Sequence, residues 1–422
     1  MGDFVISISY GNYLIQNGGT DKVIREHQVM FNSQGIDYLF LFPVIRNIKV
    51  GKKIRIFRYW GINKNNNFIG LYKIESAFSY IEKNFNQGNK CRALFVHHTW
   101  RVQQRDLITI LKSFDVPIYY YLHDFYSICD GKNLIDHDGI YCGYGLNGIN
   151  CKTSCRYYNQ SQLNKKNFIT LIEIFGERLT FVAPSDNTRE IYVSTFDKYA
   201  TRFVSIPHQK LQGEYFKNNF VYPIKVAFIG KQVALKGWDD YKGLIDRFGN
   251  DPDYEFYYLG TGTDAPTNIK VVEVSVRKQG LDAMMNTLRE LEIDIVLLLS
   301  KWPETYSYTY FEAYAAGCYI ITYNCSGNMS DMVKKNGNGT VVSNFYNLKK
   351  FFEDKKNIMN ILSVSKNLSF PNELCPNEEI VSIVSENPTS NNKEKLKIRS
   401  KHRSYFADIM YRIINRRKLH ER

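Results

Sequence analysis

Two glutamates eight positions apart stand out among the residues of this chain that could do chemistry. Glu304 and Glu312 come after the apolar run 295–299, which predicts a buried strand. In open parallel sheets, ligands bind at the carboxyl ends of the strands, where carboxylates can accept hydrogen bonds from adjacent sugar or ribose hydroxyls. The pair alone also fits a structural interpretation, in which Glu304 stabilises a helix N-terminus and Glu312 is an exposed helical residue. The helix between them would offer free N–H groups to a phosphate, and it would begin at Ser307, Tyr308 and Thr309.

Glycines and lysines follow the first predicted strand of each half of the chain. Glycine lets the backbone approach a ligand closely, and a helix N-terminus next to it favours an anion. Two lysines after a strand could neutralise a diphosphate leaving group. An ordinary tight turn and two solvated lysines are the alternatives. The candidates are Gly18 and Gly19 in the first half, and Gly230, Lys231 and Lys236 in the second.

His123 follows a third predicted strand, 117–122, and Gly260 ends a fourth, 254–260. His123 could contact a ligand at the strand ends, or it could be a core histidine with its hydrogen bonds satisfied. Two Asp-x-Asp triplets, 136–138 and 251–253, are interpreted as turns, so no metal ion is expected in catalysis.

Four cysteines lie close together in the sequence next to the histidine motif. Their spacing differs from that of paired C-x2-C zinc knuckles. Scattered reduced thiols and a structural zinc site both fit this pattern. The four residues, within a loop 129–155, are Cys129, Cys142, Cys151 and Cys155.

Strand-like runs alternate with helical patterns over most of the chain, which is typical of doubly wound parallel sheets. The alternation pauses after Pro207 and resumes near Ile224. We therefore predict a first α/β domain over 1–207 and a second over 223–356. The region 357–392, rich in Asn, Ser and Pro, is expected to be a loose connector, and 393–422 a basic amphipathic helix.

Composition limits the class of protein. The 422 residues are 44% hydrophobic and 23% charged, which excludes a wholly disordered chain. No apolar run approaches the ~20 residues of a membrane-spanning helix, and the first residues do not resemble a signal peptide. Eight cysteines without such a signal fit a reducing compartment, so we predict a cytoplasmic location.

The net charge of +13 is concentrated at one end of the chain. Residues 393–422 contribute +8 of it, so the body is not expected to bind nucleic acid. The last helix has an apolar stripe that could pack on the first domain. The basic segment 393–403 could lie on an anionic membrane surface, placing the protein peripherally on the cytoplasmic face of an inner membrane.

Taken in order, these motifs resemble the signature of retaining nucleotide-sugar glycosyltransferases with the GT-B fold, glycosyltransferase family four in particular. The resemblance covers roughly residues 6–342 and includes the late pair Asn338-Gly339. It implies two Rossmann-like domains facing each other across a cleft. Three positions differ from the usual pattern: Asp21 stands where Glu is common, Ser307 where Gly is frequent, and Cys318-Tyr319 in a stretch that often contains Pro.

The resemblance also implies roles for single residues. Glu312 would hold the ribose hydroxyls, Glu304 the transferred sugar, and His123 the donor sugar near the reacting carbon. Lys231 and Lys236 would bind the diphosphate. The remaining donor-binding positions implied are Gly18, Gly19, Gly230, Gly260, Ser307, Tyr308 and Thr309.

The expected function is metal-independent retaining transfer of a sugar, of hexosyltransferase type, from a UDP-, GDP- or dTDP-sugar to a glycan acceptor. No resident cofactor is required. The soluble body and basic tail favour a lipid-linked intermediate of a bacterial surface polysaccharide, an O-antigen lipopolysaccharide or a capsule. A nucleotide-sugar epimerase of the same fold and a non-catalytic nucleotide-sugar-binding scaffold are the alternatives.

Overall fold

The computed structural model describes ten parts of the 422-residue chain: residues 2–16, 18–50, 53–85, 89–145, 148–149, 151–217, 222–365, 368–386, 405–415 and 419. Within these parts, no helix has both the length and the hydropathy needed to cross a bilayer.

The first lobe is built on a large sheet flanked by helices. Its strands are β1 (Phe4–Ile8), β2 (Asp37–Val50), β3 (Lys53–Lys64), β4 (Asn67–Tyr72), β5 (Cys91–Val96), β6 (Ile118–Tyr121), the short pair β7 (Tyr144–Gly145) and β8 (Gly148–Ile149), β9 (Leu179–Ala183) and β10 (Phe203–Ser205). Its helices are α1 (Gly19–Ser33), α2 (Ile74–Phe85), α3 (Gln104–Lys112), α4 (Tyr158–Phe175) and α5 (Asp186–Thr195).

Eight of these strands form one sheet in the order β10-β9-β6-β5-β1-β2-β3-β4. The strands from β10 to β2 run parallel, whereas β3 and β4 return antiparallel. Residues 44–59 mix cations with isoleucines instead of forming an apolar run, so the sequence pattern does not predict this antiparallel extension. The antiparallel extension is therefore an addition to the predicted doubly wound sheet.

The second lobe has a six-stranded parallel sheet in the order β14-β13-β12-β15-β16-β17, the doubly wound arrangement expected from the sequence. A short strand, β11 (Gln209–Gln212), precedes it. The strands are β12 (Ile224–Ile229), β13 (Tyr254–Gly260), β14 (Lys270–Glu273), β15 (Ile295–Leu298), β16 (Tyr319–Tyr323) and β17 (Gly339–Val342). The helices are α6 (Trp238–Phe248), α7 (Val276–Gln279), α8 (Ala283–Glu290), α9 (Tyr308–Ala315), α10 (Asn328–Asn336), α11 (Phe345–Glu353) and α12 (Lys355–Ser365).

In its described parts, 357–365 and 368–386, the region 357–392 is not the loose connector expected from its composition. It contains most of α12, then β18 (Glu373–Pro376), which pairs antiparallel with β11, and then α13 (Glu379–Glu386). Helix α13 buries Ile380, Val381 and Val384 in the core of the first lobe. The chain thus returns to its first lobe, and these apolar residues provide the driving force that a simple composition count misses.

The last helix, α14 (Tyr405–Ile414), also packs on the first lobe. Its predicted apolar stripe consists of Tyr405, Phe406, Ile409, Met410, Ile413 and Ile414, and the side chains of the first two lie outside the described residues. Tyr411 and Asp408 are buried, whereas four residues of the stripe are exposed: Ile409, Met410, Ile413 and Ile414. The Tyr411 hydroxyl accepts a hydrogen bond from Asn12 Nδ2 at 3.1 Å. The basic segment 393–403 lies outside the described residues.

Candidate functional site

The glycine loop after β1 opens helix α1. The Asp21 carboxylate accepts a hydrogen bond from the Gly18 N–H at 2.7 Å, so Asp21 caps its own helix. Gly19 is exposed, and a Cβ placed there would lie 3.8 Å from the Tyr308 ring of the second lobe. The two lobes therefore face each other at Gly19.

The two lysines lie in the loop after β12. Gly230 ends the strand with a φ of +104° and turns the chain towards Lys231. Residues 234–236 form a 3-10 turn, and Gly237 follows at φ +82° with no room for a side chain, since a Cβ would lie 2.3 Å from that of Leu299. Only glycine meets both demands, so this turn fixes where Lys236 emerges.

Glu304 is held by backbone contacts on both sides. Its N–H donates to the Ser326 carbonyl at 3.1 Å, and its carbonyl accepts from the Asn328 N–H at 3.1 Å. Gly327 makes this pairing possible, because a Cβ there would lie 2.6 Å from Pro303 Cα. The sequence supplies a glycine where two segments must approach closely.

Strands β12 and β15 are neighbours in the sheet, so the loops that follow them meet. Lys236 Nζ forms an ion pair with Glu304 Oε1, and the Ser300 hydroxyl donates to the same oxygen at 2.8 Å. The two loops are also joined by a hydrogen bond from the Lys301 N–H to the Leu235 carbonyl at 2.9 Å. A predicted phosphate-binding cation and a predicted sugar-binding carboxylate are thus brought together.

A cavity of about 350 Å³ lies at this point between the lobes. It is large enough for part of a small-molecule ligand. Eight of the predicted residues line it: Gly19, Gly230, Lys231, Lys236, Glu304, Ser307, Tyr308 and Thr309. The other four predicted residues, which do not line it, are Gly18, His123, Gly260 and Glu312.

Glu312 is buried on α9, and burial raises its pKa to about 6, opposed by the charge of Lys22. Lys22 and Glu26 lie on α1 of the facing lobe. Lys22 Nζ lies 4.1 Å from the centre of the Tyr308 ring, and the Tyr308 hydroxyl donates to Glu26 Oε2 at 3.4 Å. Burial raises the pKa of Glu26 to about 7, again opposed by Lys22. The charge of Lys22 therefore acts on two buried carboxylates, Glu26 on its own helix and Glu312 across the cleft.

Sequence reasoning missed Lys22 and Glu26. Their spacing, four residues apart on the helix that follows the glycine loop, places them on one helix face towards the same ligand edge. That spacing was the signal that could have identified them.

His123 belongs to a cluster of five of the eight histidines. Its Nε2 lies 2.9 Å from Nδ1 of His97, so one ring donates and the other accepts. Burial lowers the pKa of His123 to about 3, which leaves a neutral imidazole at pH 7. The Thr305 hydroxyl of the second lobe donates to the His123 carbonyl at 2.7 Å. The other members of the cluster are His27, His98 and His208.

His97 and His98 were also missed, although they follow β5, the neighbour of β6. His98 Nε2 lies 2.8 Å from Oδ2 of Asp124. Residues at the carboxyl ends of two adjacent parallel strands are expected to lie together, and this pattern could have identified the two histidines.

Two glycines of the second lobe, Gly260 and Gly339, lie where neighbouring groups leave no room for a side chain. A Cβ on Gly260 would lie 3.0 Å from the Gly230 carbonyl and 2.5 Å from the Tyr258 hydroxyl. The Tyr258 hydroxyl donates to the Gly230 carbonyl at 3.0 Å, so this turn braces the lysine loop. Gly339 lies beside β16, where a Cβ would be 1.9 Å from the Ile320 carbonyl. Both glycines serve close packing.

The four cysteines of the loop 129–155 lie near one another, since the Cys142 thiol interacts electrostatically with Cys129, Cys151 and Cys155. Throughout the described ranges, no group of three or more His, Cys, Asp or Glu side chains is placed to hold a metal ion. Cys129, Cys142, Cys151 and Cys155 are free thiols, and burial raises the pKa of Cys142 to about 11. Of the two Asp-x-Asp triplets, the first caps its own turn, because Asp136 Oδ1 accepts from the Asp138 N–H at 3.0 Å.

Comparison with protein-family models gives no match, and comparison with curated proteins gives none either. Solved structures do match. Sucrose-phosphate synthase (tll1590) from Thermosynechococcus elongatus has a TM-score of 0.56 at 10% identity, covering 86% of this chain and 92% of that one. The pneumococcal O-GlcNAc transferase GtfA, solved in complex with UDP and GlcNAc, has a TM-score of 0.54 at 11% identity, covering 91% and 99%. TarM has a TM-score of 0.52 at 10% identity, covering 86% and 94%.

These likenesses extend over nearly the whole of each chain at very low identity, so they concern the fold. Together with the two parallel sheets and the returning C-terminal helices, they confirm the predicted GT-B architecture.

Proposed function

We propose that this protein is a retaining glycosyltransferase that uses a nucleoside diphosphate sugar as donor. The observation that carries the proposal is the meeting of Lys231, Lys236 and Glu304 in one cavity that also borders Gly19 of the facing lobe. Two cations suit a diphosphate, and a carboxylate beside them suits sugar hydroxyls. Among proteins of this fold, GtfA is described as a transferase in complex with UDP and a sugar, which supports the same class of ligand.

In the reaction proposed, the bond between the anomeric carbon and the β-phosphate oxygen breaks. The acceptor oxygen bonds to that carbon from the same face, and its proton passes to a phosphate oxygen of the leaving group. Lys231 and Lys236 stabilise the charge that develops on the diphosphate, and the N–H groups at the start of α9, Ser307 to Thr309, add to this. No divalent ion is required for this step in our proposal.

The carboxylates position the donor. Glu304 holds hydroxyls of the transferred sugar, and its ion pair with Lys236 places it beside the cation that binds the diphosphate. Glu312 holds the ribose hydroxyls from its buried place on α9. His123, neutral at pH 7, contacts the donor sugar near the reacting carbon as a positioning group.

We further propose a lipid-linked glycan as acceptor, in the assembly of an O-antigen lipopolysaccharide or a capsule on the cytoplasmic face of a bacterial inner membrane. The donor carries UDP, GDP or dTDP, and the sugar is a hexose. The basic terminal region supports this part, since anionic lipid attracts it.

The test is transfer of a labelled sugar from each class of donor to a lipid extract, with the anomeric configuration of the product read by NMR. Retention of the donor's configuration is expected. Turnover of the donor sugar to its epimer with no acceptor would instead establish an epimerase. Donor binding without any turnover would establish a binding scaffold.

A further inference from the structure

Two cationic side chains of the first lobe lie against the ring of one tryptophan. Lys132 Nζ lies 3.8 Å from the centre of the Trp100 ring, and the guanidinium carbon of Arg101 lies 4.2 Å from it. Throughout the described residues, no carboxylate oxygen lies within 4 Å of either cation. A cation–π contact at an accessible site contributes only about 0.5–1 kcal/mol. The Trp100 cation pair, by which we mean Arg101 and Lys132, is therefore only weakly compensated.

Both cations occupy strained backbone positions. Arg101 has a φ of +64° and Lys132 a φ of +66°. A residue with a Cβ is disfavoured in this left-handed region by about 1 kcal/mol or more, and glycine would avoid the cost. Residues kept in such conformations cluster at functional sites. The repeated strain therefore favours a functional role for the two cations.

The two cations come from loops that follow neighbouring strands. Arg101 lies in a turn after β5, which is closed by a hydrogen bond from the Val102 N–H to the Thr99 carbonyl at 2.9 Å. Lys132 ends a loop after β6, which is closed by a hydrogen bond from the Phe125 N–H to the Lys132 carbonyl at 2.9 Å. Because β5 and β6 pair in parallel, the two loops meet at one edge of the sheet.

A chain of hydrogen bonds joins the two loops. The Trp100 N–H donates to His98 Nδ1 at 2.9 Å, so the ring proton lies on Nε2, which donates to Asp124 Oδ2 at 2.8 Å. The other oxygen of Asp124 accepts from the Tyr126 N–H at 2.9 Å. Asp124 also interacts electrostatically with Lys132. Both oxygens of this carboxylate are thus engaged, and the two cations exceed it in charge.

Tyr10, which follows β1, connects the Trp100 cation pair with the cleft. Its ring lies 5.5 Å from that of Trp100, and its hydroxyl interacts electrostatically with Arg101 and with Asp21 of the glycine loop. Strand β1 pairs in parallel with β5, so the residues after both strands share one edge. The cation pair therefore lies at the edge of the first lobe from which Gly19 faces the second lobe.

We propose that Arg101 and Lys132 bind a negatively charged group of the acceptor. The proposed diphosphate-binding lysines belong to the second lobe, so the acceptor reaches the anomeric carbon along the edge of the first lobe. The shared chemistry is an oxyanion, either a sugar carboxylate or a phosphate, which accepts charge-assisted hydrogen bonds from both cations. The inference deepens the proposed function and rests on it, because it specifies the class of acceptor.

The small number of cations decides between partners. Two cations fixed on one ring suit a single oxyanion, whereas a nucleic acid presents a repeating row of phosphates and is bound by many cations. The donor diphosphate has its own proposed partners, Lys231 and Lys236, on the other side of the cleft. An oxyanion on the acceptor therefore fits the Trp100 cation pair best.

The first test is calorimetric titration of the full-length protein with phenyl phosphate, phenyl β-glucuronide and the neutral phenyl β-glucoside. The titrations use the Lys231→Gln, Lys236→Gln variant as background, so that the cleft lysines do not contribute. We expect at least one anionic probe to bind about tenfold or more tightly than the glucoside. The anion that binds more tightly identifies the source of the charge as phosphate or carboxylate.

In the same background, Arg101→Gln or Lys132→Gln should lower the affinity of that probe about fivefold or more. The matched control is Lys198→Gln in the same lobe. Lys198 is exposed, and its Nζ lies 5.3 Å from the centre of the Tyr199 ring. This variant should leave the affinity unchanged. Melting curves of all variants check that each of them folds.

The second test is sugar transfer to a lipid extract by otherwise wild-type protein. The double variant Arg101→Gln, Lys132→Gln should raise the KM for the acceptor about tenfold and leave kcat and the donor KM within about twofold, because the contact is made equally in the ground state and the transition state. A purely structural role of the two cations would not separate the two KM values.

Three results would overturn the proposal: glucoside binding as tight as that of both anions, equal losses of affinity in the Lys132→Gln and Lys198→Gln variants, or an unchanged acceptor KM in the double variant. The titrations need neither donor nor transfer. Failure of the proposed function is therefore seen separately, as the absence of stabilisation by any nucleotide sugar.

Discussion

Glu304 has two partners, Lys236 and Ser300, and one proposed task in the reaction. The variant Glu304→Gln keeps the shape of the side chain but removes the charge that pairs with Lys236. We expect the transfer rate to fall about 100-fold, the loss of roughly 2.7 kcal/mol of transition-state stabilisation. Nucleoside diphosphate binding should be equal or tighter, because Lys236 is released for the phosphates. Initial rates and titration calorimetry measure the two effects.

The matched control is Glu353→Gln at an exposed position of the same lobe, which should alter neither quantity. A Glu304→Gln rate close to that of the wild type would remove Glu304 from the mechanism.

Glu26 gives a pH-dependent prediction. Its folded pKa of about 7 lies above the ordinary value of 4.5, so the buried carboxylate costs stability above pH 7 and none below about pH 4.5. Glu26→Gln should therefore raise the free energy of unfolding at pH 8 by on the order of 2 kcal/mol and change it little at pH 4.5. Denaturant unfolding at the two pH values measures this.

Glu190→Gln, at an exposed position, is the control and should show no such difference. A Glu26→Gln variant that is less stable at pH 8 would mean that the Lys22 and Tyr308 contacts outweigh the cost of burial.

At the level of single residues, the sequence predicted residues after strands β12 and β15 that line the cavity, because the carboxyl ends of neighbouring parallel strands meet at one edge of the sheet. It did not identify Ser300 or Lys22, since their contacts depend on how two loops or two lobes meet. For Gly339 the resemblance suggested a motif, and the structure supplies a packing reason for it.

Glycines allow close contacts between elements of the second lobe. Gly339→Ala should lower the free energy of unfolding by about 3 kcal/mol or more, because the new methyl group would collide with the Ile320 carbonyl of β16. Gly337→Ala is the matched comparison, with φ of +63° but open space around it, and should cost only about 1 kcal/mol. Chemical denaturation measures the free energy of unfolding of both variants. Equal losses of stability in the two variants would contradict the prediction.

Elements with continuous apolar runs were predicted within a few residues of their bounds, and β13 and β15 match closely. Such strands are buried on both faces, so each appears in the sequence as a continuous apolar run that is easily recognised. The antiparallel extension of β2 and β3 was not predicted because residues 44–59 mix cations with isoleucines and form no apolar run. Helix α13 was not predicted from the composition of its region. A few apolar residues among polar ones are enough to dock a short helix, and an average over the region does not show them.

At the scale of the whole molecule, the two lobes are in contact with each other. Thr305 donates to the His123 carbonyl, and the Ser185 hydroxyl donates to the Thr305 carbonyl at 2.8 Å. Lys22, Glu26 and Tyr308 meet at the same interface. These contacts set the width of the cleft, and a ligand gripped from both sides should stabilise the whole chain.

The central claim is that the lysine pair of the cleft binds the diphosphate of a nucleotide sugar. The most direct measurement is thermal unfolding with uridine, guanosine and thymidine diphosphates and their sugars, for the wild type and for Lys231→Gln, Lys236→Gln. We predict that one base stabilises the wild type by about 2.7 kcal/mol at 100 times its Kd. The double variant should lose most of that gain, while Lys349→Gln, Lys350→Gln keeps it. The account would be contradicted if a nucleotide stabilised both double variants equally. It would also be contradicted if no nucleotide stabilised the wild type.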